Sequence, residues 1–243
     1  MNFRAIRVIT YLAWYLITSF PERRKLARLA ETDPKKSNAL AFASVQKALL
    51  HILDICEVKP EVNGAENIPD EAVLYVGNHI SYFDVLVLGA SVPGPVGFVA
   101  KDSLKKVPGL SGWMRLIHCL FLNRDDLRQG FETIMQGVEY LKDGYSMCIY
   151  PEGTRSKTGQ MGEFHAGSLK MAQRSKAPIV PVAVSGTRDI YENNPGKRVT
   201  PAKVSISFGK PFRITDMPKE QRKFASDYTK NAIQELLDKQ TKQ

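Results

Sequence analysis

The feature that most constrains this chain is an alternation. From residue 72 onward, short apolar runs at 72–76, 96–100, 117–122, 146–150, 179–184 and 204–208 are separated by stretches of helical periodicity at 83–90, 109–115, 127–142, 166–174 and 223–239. Short buried strands punctuated by helices predict an α/β sandwich, with a mixed, largely parallel sheet flanked by helices. The helix at 127–142 carries its own punctuation. Asp125 and Asp126 stand at the end that favours negative charge, and Gly144 lies just past the other end. In such sheets chemistry collects in the loops at one edge, so functional side chains are expected directly after the apolar runs.

The first run, Val73 to Val76, breaks at the turn residues Gly77-Asn78 and is followed by His79. A second apolar stretch, Val85 to Leu88, has helical character, which puts His79 at a strand-to-helix junction with Asp84 five positions on. A carboxylate that holds a histidine in one tautomer equips it to take a proton from a hydroxyl near neutral pH. Ser81-x-x-Asp84 also matches a capping box, in which Asp84 bonds back to the N–H of the capping serine. The two roles are compatible.

A second stretch, Ile149-Tyr-Pro-Glu152-Gly153-Thr154-Arg155-Ser156, also follows an apolar run and opens a loop. By the sheet-edge argument it can face His79. Gly153 lets a ligand or a neighbouring loop approach the backbone, and Arg155 offers a planar fork suited to phosphate. A plain surface loop with an ion pair is the bland alternative for this stretch taken alone.

At 243 residues the chain suits one main domain with a small appendage. We place the boundary between an N-terminal segment, 1–60, and an α/β domain, 61–243. A formal charge of +9 calls for an anionic partner: nucleic acid, an anionic membrane surface or a phosphorylated substrate. No nucleic-acid motif is present. Cys56, Cys119 and Cys148 lie singly in apolar surroundings, which favours buried, reduced thiols over a disulfide framework. The four histidines lack metal-ligand spacing, and neither a metal nor a redox cofactor is expected.

Within the N-terminal segment an uncharged apolar run from Val8 to Phe20 is stopped by Pro21. It is shorter than the roughly 20 residues a spanning helix needs. The segment Phe20-Pro-Glu-Arg-Arg lacks the small residues of a cleavage site, so the run is expected to stay attached. Tyr11, Trp14 and Tyr15, flanked by Arg4, Arg7, Arg23, Arg24 and Lys25, suggest an interfacial anchor. A second helix at 35–55, with Asp33 as its cap and Pro34 in its first turn, completes a helical hairpin. Residues 1–60 hold ten Lys/Arg against five Asp/Glu. The expectation is a monotopic protein that docks through this hairpin on the cytoplasmic face of a membrane.

Asn78-His79-x4-Asp84, followed about seventy residues later by Tyr150-Pro-Glu-Gly-Thr-Arg155, resembles the glycerolipid acyltransferase family. A third family block maps onto Lys101, Leu104 and Arg124, although Ser111 stands where the family has glycine, with Gly112 beside it. A fourth, an apolar strand with a central proline, appears as Ala177 to Val184 around Pro181. The resemblance spans roughly 73–186. It implies acyl transfer from an acyl thioester, on coenzyme A or acyl carrier protein, to the free sn-2 hydroxyl of lysophosphatidic acid, giving phosphatidic acid. In that reading His79 is the base and Asp84 fixes it. Lys101, Arg124 and Arg155 hold the acceptor phosphate. Glu152 orients Arg155 or bonds the acceptor's glycerol, and N–H groups near Gly153 or the Thr154 hydroxyl serve the oxyanion. The motifs do not separate this acceptor from glycerol 3-phosphate, another lysophospholipid or a lyso-aminolipid. A serine lipid esterase lacks support, because His165-Ala-Gly-Ser168-Leu has no second glycine of a nucleophile elbow. A non-catalytic basic membrane-binding domain would leave both loop motifs unexplained.

Overall fold

The computed structural model describes residues 2–165 and 167–241. Three helices come first: α1 (Phe3–Thr18), α2 (Phe20–Thr32) and α3 (Pro34–Ile55). The expected N-terminal pair is therefore a run of three. Pro21 does not stop the helix; it occupies the first turn of α2, where its missing N–H is no loss. Asp33 caps α3 by accepting from Lys36 N, with Pro34 in the first turn as expected.

The chain continues as β1 (Glu61–Asn63), β2 (Leu74–Gly77), α4 (Phe83–Ser91), β3 (Val96–Lys101), α5 (Leu110–Leu116) and β4 (Leu120–Leu122). It ends with α6 (Leu127–Lys142), β5 (Ser146–Ile149), α7 (Lys170–Ser175), β6 (Ile179–Ser185), β7 (Ser205–Phe208) and α8 (Ala225–Thr241). The apolar run at 117–122 is divided: Ile117 closes α5, and His118 turns the chain at a positive φ before β4 begins. The helix expected at 166–174 starts only at Lys170, and Ala166 lies outside the described residues.

Seven strands form one sheet in the order β1-β7-β6-β2-β5-β3-β4. Strands β6, β2, β5, β3 and β4 run parallel, β7 is antiparallel to β6, and β1 pairs in parallel with β7. The mixed, largely parallel sheet read from the sequence is the one observed.

Period-two alternation sorts the strand residues onto two faces. Val73, Tyr75, Val180, Val182 and Val184 pack with Phe42, Leu53, Val87 and Leu88 of α3 and α4. Leu74, Val76, Ile179 and Ala183 pack with Val138, Met171 and Ile233 of α6, α7 and α8. Because both faces are covered, the central strands are apolar throughout. Five parallel strands then send their carboxyl ends to a single edge, and that edge carries His79.

Candidate active site

Strand β2 ends in a locked turn. The Asn78 side chain is buried and pairs with the backbone of Val184 on β6 through both its atoms, Nδ2 to the carbonyl at 2.9 Å and Oδ1 from the N–H at 2.8 Å. Gly77 leaves room for the Tyr150 ring, whose nearest atom would lie 3.3 Å from an added Cβ. That ring in turn stacks under the His79 imidazole, with centroids 4.3 Å apart.

His79 Nδ1 lies 2.9 Å from Asp84 Oδ2, and the Asp84 side chain is wholly buried. The same oxygen accepts from the N–H groups of Ile80 (2.7 Å) and Ser81 (2.8 Å), while Oδ1 accepts from the Thr187 hydroxyl at 2.6 Å. Four donors thus hold one carboxylate, the arrangement that makes burying it tolerable. Half of the capping box is present: Asp84 bonds back to Ser81 N, but Ser81 Oγ accepts from Phe83 N at 3.0 Å rather than from Asp84 N, and the residue that caps α4 is Tyr82. With Nδ1–H donating to Asp84, Nε2 carries the lone pair, and it has no protein partner among the described residues. The imidazole keeps 17 % exposure. An open, oriented nitrogen base faces the sheet edge.

The loop after β5 closes against this turn. Glu152 Oε1 accepts from His79 N at 2.7 Å, Oε2 accepts from Gly162 N at 2.8 Å, and Ser156 N donates to His79 O at 2.8 Å. Burial raises the Glu152 carboxyl above its ordinary range, against the opposing effect of those two N–H donors. Gly153 adopts a positive φ, and a Cβ there would strike the His165 ring at 2.9 Å. Its N–H is taken by Tyr150 O at 3.0 Å. Thr154 is exposed, and its hydroxyl and N–H have no partner among the described residues.

Arg155 turns toward the histidine loop. Its guanidinium sits 3.4 Å from the Tyr82 ring centroid and donates through Nη1 to Glu192 at 3.3 Å. Glu192 also accepts from Tyr82 N (2.9 Å) and Ser81 Oγ (2.7 Å), so this carboxylate ties the two motif loops together. Lys101 ends β3, Arg124 follows β4 by two residues, and both are exposed without an ion pair among the described residues. With strands spaced about 4.8 Å apart, the carboxyl ends of β3 and β4 lie roughly 10 and 14 Å along the edge from that of β2. All eight residues singled out from the sequence therefore sit on the carboxyl-end edge of the sheet.

Three residues at this site were not foreseen. Thr187 and Glu192 act as above, and Arg188 donates to the carbonyls of Ser156 (2.7 Å) and Lys157 (3.0 Å), bracing the glutamate loop. One signal for them existed: all three follow Gly186 at the carboxyl end of β6, another position where the sheet-edge argument applies. The cysteines are free and buried, and burial pushes Cys56 up to about 11 and Cys119 to about 12, which leaves no ready thiolate nucleophile there.

The family described as Acyltransferase matches residues 59–185. A probable 1-acyl-sn-glycerol-3-phosphate acyltransferase of Mycoplasma pneumoniae is 32 % identical over 215 residues, covering 86 % of this chain and 78 % of that protein. The 1-acyl-sn-glycerol-3-phosphate acyltransferases of Borreliella burgdorferi and Saccharomyces cerevisiae are 30 % and 37 % identical, over 64 % and 61 % of this chain and 62 % and 48 % of their own lengths. Among solved structures, the 1-acyl-sn-glycerophosphate (LPA) acyltransferase PlsC of Thermotoga maritima superimposes with a TM-score of 0.74 at 26 % identity, covering 96 % of this chain and 97 % of that one.

Proposed function

The chain belongs to the acyltransferase family, and we propose that within it the chain moves an acyl group from a thioester of coenzyme A or acyl carrier protein to the sn-2 hydroxyl of lysophosphatidic acid. The observation that carries this reading is the His79–Asp84 pair with Nε2 left open at the sheet edge. In the proposed step, Nε2 takes the proton of the acceptor hydroxyl as its oxygen attacks the thioester carbonyl. Asp84 stabilises the imidazolium that forms. When the tetrahedral intermediate collapses, the C–S bond breaks and the imidazolium returns its proton to the departing thiolate. No acyl-enzyme is needed, because the acceptor itself is the nucleophile. General-base assistance of this kind contributes about 10²–10⁴-fold.

The Thr154 hydroxyl and N–H have no partner among the described residues and serve as oxyanion donors in this reading, whereas the Gly153 N–H is already engaged. Lys101 and Arg124, without an ion pair among the described residues, grip the acceptor phosphate in this reading. Arg155, half-committed to Glu192, adds a third contact from the other side. The roughly 10 Å offset along the edge suits a phosphate held by a long lysine side chain while the glycerol hydroxyl reaches His79.

The acceptor lives in a bilayer, and α1 supplies a surface to meet it. Phe3 (73 %), Trp14 (57 %) and Ile17 (74 %) are exposed, with Ile6, Ile9, Leu12 and Phe20 continuing the apolar face. Arg7 lies over the Phe3 ring, so cations flank that face. Tyr11 and Tyr15, expected at the interface, instead pack inward against His51 and Trp113. No helix among the described residues is long and apolar enough to cross a membrane, and the reading is monotopic docking on the cytoplasmic leaflet through α1.

The test is acyl transfer from labelled acyl thioesters to lysophosphatidic acid presented on anionic vesicles. Phosphatidic acid as the product supports the assignment. Transfer only to glycerol 3-phosphate or to a different lysolipid would leave the reaction class standing and remove this acceptor.

A further inference from the structure

A concave site lies away from the His79 loops. A cavity of about 320 Å³ opens between α2, the start of α3 and α5, and its wall includes Arg23, Arg24, Gly112, Arg115 and His118. His118 precedes β4, so the cavity reaches toward the amino ends of the parallel strands, the edge opposite the catalytic loops. No carboxylate lines it, and none of the three arginines makes an ion pair among the described residues. Like charges gathered around one cavity repel each other, and an entering anion relieves that repulsion.

The cavity is built rather than incidental. Gly112 makes room for Arg23: a Cβ there would lie 2.8 Å from its Cδ and 2.9 Å from its Nε. Arg23 Nη1 is fixed on Gly109 O at 2.9 Å. Asn38 Nδ2 lies 2.8 Å from His118 Nδ1 and donates to it, which leaves the Nε2–H of the ring as a further donor. Arg23 and Arg24 both lie over the ring of Phe20, 5.2 and 5.6 Å from its centroid. Phe20 and Ile17 are exposed and continue the apolar face of α1. The basic rim is therefore continuous with the surface assigned to the bilayer.

We propose that this cavity is a non-catalytic site for the phosphate of an anionic phospholipid headgroup, occupied when α1 lies on the membrane. Guanidinium forks match phosphate oxygens, and a small concave site beside an apolar face suits a lipid headgroup better than the flat face of an acidic protein. The proposal rests on the docking reading above.

The experiment measures flotation of the full chain with vesicles of phosphatidylcholine alone, with added phosphatidylglycerol, and with oleic acid at matched surface potential. The wild type should prefer phosphatidylglycerol over oleate vesicles by about tenfold. Arg24→Gln/Arg115→Gln should lose roughly ten- to thirtyfold on phosphatidylglycerol, erasing that preference, with binding to phosphatidylcholine unchanged. Lys25→Gln/Arg28→Gln removes the same charge from α2 outside the cavity and should keep the preference. Equal losses by both double variants on both anionic vesicles would reduce the cavity to diffuse surface charge and overturn the proposal. So would saturable binding of inorganic phosphate without any phosphatidylglycerol preference, or selective loss of acyl carrier protein binding with vesicle binding intact. If the wild type floats with no vesicle at all, the docking reading fails separately. Titration with soluble dihexanoyl-phosphatidylglycerol then decides the cavity: saturable binding lost in Arg24→Gln/Arg115→Gln keeps it, and no difference between the two proteins removes it.

Discussion

Two histidines of this molecule share nearly the same aromatic setting and differ in one partner. His79 stacks on Tyr150 with centroids 4.3 Å apart, and His118 stacks on Tyr145 at 4.0 Å. His79 Nδ1 faces a buried carboxylate, whereas His118 Nδ1 faces the amide of Asn38. Burial lowers the His118 pKa by disfavouring charge on that ring, whereas the His79 ring faces a buried carboxylate. Stacking and partial burial alone make a packed histidine. The proposed role of His79 as a base rests on the carboxylate and on the free Nε2 that it orients.

The comparison breaks most visibly by deleting each ring. His79→Ala should lower kcat for acyl transfer by about 10³-fold or more with vesicle binding intact. His118→Ala should keep kcat within about threefold and instead cost about 1–3 kcal/mol of stability through lost packing and the loss of one of the two Asn38 Nδ2 hydrogen bonds. Urea unfolding alongside single-turnover kinetics separates the two. Comparable losses of kcat in both would mean that neither partner matters as argued.

Asp84→Asn sharpens the contrast by giving His79 the kind of partner His118 has. The amide can present an N–H where Ile80 N, Ser81 N and His79 Nδ1 all donate, so both orientation and tautomer suffer. A loss of about 10²–10³-fold in kcat is expected, smaller than for removal of the ring itself. Thr187→Val, nearly the same shape, removes only the donor to Oδ1. It should cost about 1–3 kcal/mol in stability and roughly tenfold in kcat, with KM for the acceptor little changed, since Thr187 is wholly buried against Asp84.

How legible this was follows from which contacts are local. The strand before His79, the turn at Gly77-Asn78 and the return of Asp84 to its own loop all lie within residues 73–84, and short-range pattern suffices to read them. Thr187 and Glu192 reach the same turn across 103 and 111 residues, so only the β2–β6 pairing brings them there. Strand β1 escaped because Glu-Val-Asn has no apolar run; it is an edge strand, defined by its pairing with β7 rather than by burial. Helix α2 is hidden because a proline after an apolar run has the pattern of a terminator, although at the first turn proline is compatible with a helix start. The basic cavity was foreshadowed only by the displaced glycine at 112, whose role depends on Arg23 from a distant helix.

The smallest expected effect concerns Glu152, the third group that holds the His79 turn. Its carboxyl is raised by burial, so the folded state binds a proton more readily than the unfolded chain does. Between the ordinary carboxyl pKa and the raised folded one, the unfolded state carries fewer protons, and stability falls as pH rises through that window. Glu152→Gln removes the titration. Its amide oxygen can keep the bond from His79 N, but its NH₂ then confronts Gly162 N, an offset of about 1–2 kcal/mol. The urea midpoint of the variant should therefore lie below that of the wild type at acid pH. The gap should narrow as pH rises through the window, because only the wild type meets the cost of ionising a buried carboxylate. A gap that widens instead would mean that the two N–H donors outweigh burial and hold Glu152 ionised, making it a second Asp84 rather than its counterpart.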